Sequence, residues 1–210
     1  MKNCIIIFFL FFVSSYTVAQ TRLGLRISPT ISANRLESKA DSLDLANNGA
    51  ALRFIAGIFA DKYLGGSYYF STGLFYAPKR VSYEVTNNLT GSKTKEIYNL
   101  QYVLLPLSLK LLTSEIALDT RLYFQVGVNL EVKIHEEAVR TSELYVNKFR
   151  NLEASSLLGL GVERRISTNV NLYGGFTYYR GLFNVASSRS DQPELIVKND
   201  LFSLDFMIRF

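Results

Sequence analysis

Residues 121–135, RLYFQVGVNLEVKIH, alternate without interruption: Leu122, Phe124, Val126, Val128, Leu130, Val132 and Ile134 share one face, and Arg121, Tyr123, Gln125, Gly127, Asn129, Glu131, Lys133 and His135 the other. A period of two marks a strand whose faces meet different surroundings. At ~3.3 Å per residue the stretch extends over roughly 45–50 Å, and a tilt of ~45° leaves more than ~30 Å along a barrel axis. Seven large apolar side chains over that height suit the hydrocarbon core of a bilayer better than a soluble ligand cup. The apolar face is therefore expected to point outward, into lipid.

The same period recurs on both sides of this stretch. Residues 22–31 set Leu23, Leu25 and Ile27 against Arg22, Gly24, Arg26 and Ser28; residues 152–162 set Leu152, Ala154, Leu158, Leu160 and Val162 against Glu153, Ser155, Gly159, Gly161 and Glu163. Further strands are expected at about 51–60, 67–85, 96–112, 169–181 and 199–210, and no helical period of useful length follows residue 20. Short connections near 61–66, 113–119 and 167–169 alternate with longer polar stretches at 33–50, 86–95, 136–151 and 182–198. Long and short ends then fall on opposite rims, with both termini at the short-turn rim. The expected fold is all-β: one domain over 20–210 forming an eight-stranded antiparallel up-and-down transmembrane β-barrel.

The polar face carries many charges: Arg22, Arg26, Arg53, Glu131, Lys133, Glu153, Glu163, Asp205 and Arg209. Facing lipid, each Arg or Lys near the midplane would cost about 2–4 kcal/mol. An eight-stranded barrel has an interior just wide enough for its own side chains, so these nine are expected to fill the lumen and pair acid with base. The chain ends in LFSLDFMIRF, residues 201–210, with apolar residues at every even position. That reads as the closing strand, which pairs with the first and removes both sheet edges. Asp205 and Arg209 should then meet Arg22 and Arg26 in at least one lumenal salt bridge. Trp is absent, so interfacial belts would be built from Tyr and Phe, with Tyr63, Tyr68, Tyr69, Tyr76, Tyr83, Tyr98, Tyr102, Tyr173, Tyr178 and Tyr179 as candidates.

The first 19 residues read as a signal peptide: Lys2, the apolar block Ile5 to Val13, then small residues up to Ala19. The single cysteine, Cys4, precedes that block, so neither lipidation nor disulfides are expected. The formal net charge is +5 without a dense Lys/Arg run alternating with aromatics, which argues against nucleic acid. Chemistry is scarce. His135, the only histidine, stands beside Glu136 and Glu137 near Ser142 and Glu143, and reads as a solvated rim residue rather than part of a catalytic or metal site. Gly159 and Gly161 read as small residues facing a crowded lumen, Gly174-Gly175 as a kink or close approach, and Pro106 as a bulge or weakened hydrogen bond. Asn88-Leu89-Thr90 is read as an accidental glycan triplet; Asp41-Ser42-Leu43 resembles a short bacterial O-glycosylation motif. No enzyme, cofactor or metal is expected.

The segment ending Val18-Ala19-Gln20, the alternating first strand, YVLLPLSLKL at 102–111, GLGVE at 159–163 and the terminal Phe together resemble the PorT-type outer-membrane β-barrel family. The resemblance implies a bacterial outer-membrane location and insertion by the outer-membrane assembly machinery, with Phe206, Ile208 and Phe210 as the recognised aromatic-terminated signal. It also implies that secretion is one task of such proteins. The expectation is a structural or interaction component of the envelope, embedded in outer-membrane lipid and meeting an envelope protein through loops 33–50, 86–95, 136–151 and 182–198. The alternatives are a narrow pore for small solutes and a rim-located lipid-modifying enzyme.

Overall fold

The computed structural model describes residues 21–38, 43–47, 49–88, 91–140, 146–188 and 195–210. The expected signal peptide lies outside them, as do Asp41, Ser42, Leu89, Thr90, Ser142 and Glu143 of the motifs above. Eleven strands follow in order: β1 Thr21–Ser38, β2 Leu43–Asn47, β3 Ala51–Gly65, β4 Tyr68–Asn87, β5 Lys93–Ala117, β6 Thr120–Arg140, β7 Val146–Phe149, β8 Leu152–Ser167, β9 Val170–Gly181, β10 Ala186–Ser188 and β11 Leu195–Arg209. Eight of them, β1, β3, β4, β5, β6, β8, β9 and β11, pair antiparallel in that sequence, and β11 pairs back onto β1. The sheet is closed.

The register sets the shape of the barrel. Stepping across paired residues from Leu23 leads through Ala60, Thr72, Leu107, Val128, Ser156, Arg180 and Asp200 and returns to β1 at Ala33, ten residues beyond the start. For eight strands that stagger inclines each strand by about 40°. Ten residues at ~3.3 Å then climb about 25 Å along the axis, the height of the apolar band on a membrane barrel. Leu23, Leu25, Ile27 and Ile31 of β1, Phe124, Val126, Val128, Leu130, Val132 and Ile134 of β6 and Phe202, Leu204 and Phe206 of β11 are all exposed on the outside. Their sequence neighbours Arg26, Ser28, Asn129, Glu131, Ser203 and Asp205 are buried inside.

Short turns at Gly66-Ser67, Leu118-Asp119 and Thr168-Asn169 close one rim. Gly66 (φ 57°) and Asp119 (φ 54°) turn the chain through the left-handed region, which Gly enters freely and Asp tolerates.

The opposite rim corrects the expectation of four long loops. Much of 33–50, 86–95, 136–151 and 182–198 is strand: β1 runs on to Ser38, β6 to Arg140, β5 begins at Lys93 and β11 at Leu195, and β2, β7 and β10 lie wholly within these stretches. The strands outlast the membrane, and beyond it their pattern inverts. Val81, Val85, Leu100, Leu195 and Val197 are buried with Tyr83, Tyr98 and Phe149 in one cluster. Lys198, Glu84 and Lys95 occupy the alternate positions. In water the apolar face must turn inward, so the outward apolar period that identifies a lipid-facing strand ceases there.

Two prolines interrupt ladders without shifting register, and beside a third a ladder ends. The β4–β5 pairs stop at Thr72↔Leu107 and resume at Phe75↔Leu104, leaving Pro106 unpaired on that side. The β1–β11 pairs skip Pro29 between Ile27↔Phe206 and Thr30↔Ser203. Each lacks the N–H that the neighbour would accept. At Pro78 the consequence is larger: β3–β4 pairing ends at Ala56↔Tyr76, and the Arg80 backbone instead meets Ser32 Oγ (3.4 Å) and Asn34 Nδ2 (3.1 Å). Those are lumen-facing side chains of β1. The upper β4–β5 hairpin therefore leans inward across the mouth.

Candidate functional site: the filled lumen

Inward-pointing residues of all eight barrel strands meet in stacked layers. At the short-turn end Asp61 accepts from Lys110 Nζ at 2.8 and 2.9 Å and from Arg209 Nη1 at 3.3 Å. Arg209 Nη2 also reaches Glu163 at 2.6 Å, and Glu163 accepts from Tyr173 OH at 2.7 Å and from Asn171. Tyr173 lies 5.0 Å from Lys110 Nζ and 5.2 Å from the Arg209 guanidinium, so its ring face adds a cation–π contact to each.

One layer up, Arg26 Nη2 donates to Asp205 Oδ1 at 2.6 Å, Nη1 to Tyr179 OH at 2.9 Å and Nε to Ser28 Oγ at 2.9 Å. Asp205 also accepts from Ser28 Oγ (2.9 Å) and Thr177. Tyr123 crosses the bore below. A Cβ on Gly175 would stand 2.3 Å from its hydroxyl and one on Gly161 2.7 Å from its ring, so this facing glycine pair makes room for the phenol.

Near the upper edge of the apolar band Lys79 is paired with Glu131 and lies 3.4 Å from Glu153. Glu153 also accepts from Tyr102 OH and from Asn199 Nδ2 (3.4 Å), and Glu131 from Ser155 Oγ (2.7 Å) and Asn129 Nδ2 (3.0 Å). Beyond the band Glu96 accepts from Tyr83 OH (2.6 Å) and Tyr98 OH (2.8 Å). Burial, followed by the neighbouring Glu96 carboxylate, holds both phenols well above the usual tyrosine range, so they remain donors at any physiological pH.

Of the nine charges expected inside, Arg26, Glu131, Glu153, Glu163, Asp205 and Arg209 are buried in these layers. Three are not part of them. Arg22 is exposed at the short-turn mouth, on a polar cleft of about 150 Å³ that Arg121 and Arg165 also line. Arg53 is half-buried where β4 has left β3, and donates to Asn99 Oδ1 at 3.0 Å. Lys133 turns to Glu136 and the Phe149 carbonyl at the far mouth. All three lie towards the barrel ends; Arg22 is exposed and Arg53 half-buried, whereas the Lys133 side chain is buried against Phe149. Sequence reasoning missed Asp61, Lys79, Lys110 and Glu96. Lys110 had a signal, since it alternates with Leu107, Leu109 and Leu111.

The tyrosines are divided. Tyr68, Tyr76 and Tyr178 face outward near the band edges, whereas Tyr83, Tyr98, Tyr102, Tyr173 and Tyr179 are buried inside. The inner set serves carboxylates instead of an interfacial belt. Phe206 and Ile208 lie on the lipid face of β11; Phe210, just past its end, is exposed and its N–H donates to Leu23 O at 2.8 Å. His135 is exposed on β6 opposite Gln101.

Comparison with known proteins agrees with this geometry. The family model described as outer membrane protein beta-barrel domain matches residues 18–187. OprG of Pseudomonas aeruginosa is similar in structure, with a TM-score of 0.55 at 9% identity over 91% of this chain and 97% of that one. AlkL, solved in DMPC lipid bilayers, has a TM-score of 0.50 at 14% identity over 91% and 90%. At such identities the likeness shows the fold alone. No curated protein sequence matches the chain. The family match ends before β11, and the β11–β1 seam of the structure completes the ring. The closed eight-stranded ring, its lipid-facing band and the family match lead to one conclusion: the chain belongs to the outer membrane protein β-barrel domain family and resides in the bacterial outer membrane.

Proposed function

We propose that this protein is a non-conducting, non-catalytic barrel of the PorT type that serves the envelope as a structural or interaction component. It meets an envelope protein partner through its long-loop end. The observation that carries this reading is the filled bore: the layers from Arg209–Glu163 through Arg26–Asp205 to Lys79–Glu131 block the axis with paired side chains. Above them the inward-leaning β4–β5 hairpin and the β7–β10 pair offer a shaped strand surface in place of an opening. The resemblance of the first strand, YVLLPLSLKL and GLGVE to PorT-type barrels supports a secretion-associated partner. Insertion through the assembly machinery, with the closing strand as its signal, belongs to the same reading.

Planar-bilayer recording of the purified barrel is expected to give no steps above background; reproducible unitary conductance would replace this reading with the narrow pore. Photo-crosslinkers at positions 95 and 148 should capture an envelope protein that one at position 164 does not. Equal capture at both ends would remove the loop-side assignment. His135→Ala is expected to leave lipid composition unchanged.

A further inference from the structure

The lipid face carries a charge cluster unlike the rest of its perimeter. Arg35 of β1 and Lys198 of β11 are cross-strand partners, and Asp200 of β11 is the partner of Arg180 of β9. All four sit at the upper edge of the apolar band, just above Phe202 and Ile31, which are 53% and 48% exposed. Asp200 is consumed locally: it accepts from Arg35 Nε (2.8 Å) and Nη2 (3.0 Å), from Tyr178 OH (3.1 Å) and from Gly181 N (3.1 Å). Arg35 is further fixed by donating to the Gly181 carbonyl at 2.7 Å. Among the described residues neither Arg180 nor Lys198 has an ion-pair partner, and Glu37 is the other acid facing Arg35. Across the same edge β5 and β6 present Val103, Gln101, Val132 and Ile134. Those four positions carry no charge.

A side chain that points outward at the end of the apolar band touches lipid headgroups. Long loops of such barrels face the cell exterior, so these are headgroups of the outer leaflet. We propose that Arg180, Lys198 and Arg35 form a clamp for the phosphate of an anionic lipid headgroup in that leaflet. Asp200 holds Arg35 in place, while Arg180 and Lys198 supply the unneutralised charge. Arginine's planar fork matches phosphate oxygens. Tyr178, stacked on Phe202 with ring centroids 4.5 Å apart, forms a flat plate immediately below, against which the lipid's glycerol or sugar portion and upper chains rest.

The test is native mass spectrometry of the full barrel in mild detergent, titrated with bis-phosphorylated lipid A, its dephosphorylated form and inorganic phosphate. The phosphorylated lipid should be retained preferentially. Arg180→Gln/Lys198→Gln should weaken retention about tenfold or more, the scale of two basic residues at an anionic surface. Arg164→Gln/Lys148→Gln, which removes two exposed cations elsewhere, should not. Heat-modifiable migration shows that each variant is folded. Equal loss in the control would reduce the effect to diffuse charge and overturn the proposal, as would equal retention of the dephosphorylated lipid. Displacement of the lipid by inorganic phosphate at matched concentration would overturn the lipid assignment in favour of a free anion.

Discussion

Arg26 and Asp205 approach to 2.6 Å with side chains 6% and 1% exposed, so neither has water to fall back on. Removing one member of such a pair strands the other. Asp205→Ala is expected to cost about 3–5 kcal/mol and to lower the heat-unfolding midpoint of the barrel in detergent. Arg26→Met/Asp205→Leu should recover most of that loss, because two apolar residues impose no ionic desolvation. A double variant as unstable as the single one would deny the coupling. Gly175→Val forces a branched side chain toward the Tyr123 hydroxyl and should cost about 1–3 kcal/mol. Adding Tyr123→Ala should relieve part of it, the remaining contacts being with the backbone, at the Leu160 carbonyl and the Gly161 Cα. At this scale the sequence revealed which face each charge takes wherever alternation is clean, as at Glu131, Glu153 and Asp205. It was silent on Asp61, which reads as part of a turn, and on Lys79, which follows Pro78 in a run whose outward residues are no longer apolar.

Among the elements, β11 does the most to close the fold. It seals the sheet against β1 and β9, buries Ser203, Asp205, Met207 and Arg209 and presents Phe202, Leu204 and Phe206 to lipid. Deleting Phe210 is expected to lower the amount of heat-modifiable barrel in the outer membrane, since it removes an apolar side chain and a β1 hydrogen bond at the seam and shortens the proposed assembly signal. Unchanged assembly in cell fractions would count against that role. The β4–β5 hairpin shows where local reading fails. At its upper end the buried residues Val81, Tyr83, Val85, Tyr98 and Leu100 are apolar or aromatic and the less buried Glu84, Asn99 and Gln101 polar, the reverse of the lipid-spanning segments below. A charge at Val81, which is fully buried, should loosen the mouth and increase protease cleavage at the long-loop end. Conductance should stay at background, because the Lys79–Glu131–Glu153 layer lies beneath.

As a whole the molecule is folded for two solvents. Within the band it is apolar outside and ionic inside; above the band it is apolar inside and polar outside. Its stability is accordingly expected to be nearly independent of ionic strength: the lumenal pairs are shielded from counterions, and the exposed rim pairs such as Arg121–Glu115 contribute little. Unfolding midpoints measured from low to molar salt should superimpose, and a steep decline would mean that water and ions penetrate the bore.

The sequence by itself determined the strand period, the lipid-facing side, the number of barrel strands and closure, because hydrocarbon accepts no unpaired edge and no unshielded row of charges. These are properties of single strands and of the medium. The Arg26–Asp205 pair follows from the expected closure of β11 on β1, but only the tertiary structure decided which of the other charges meet. Lys79 of β4 reaches Glu131 of β6 and Glu153 of β8 across the bore, and Lys110 of β5 reaches Asp61 of β3. Those distances depend on the ten-residue stagger of the ring and on the inward lean of the β4–β5 hairpin, neither of which any local pattern encodes.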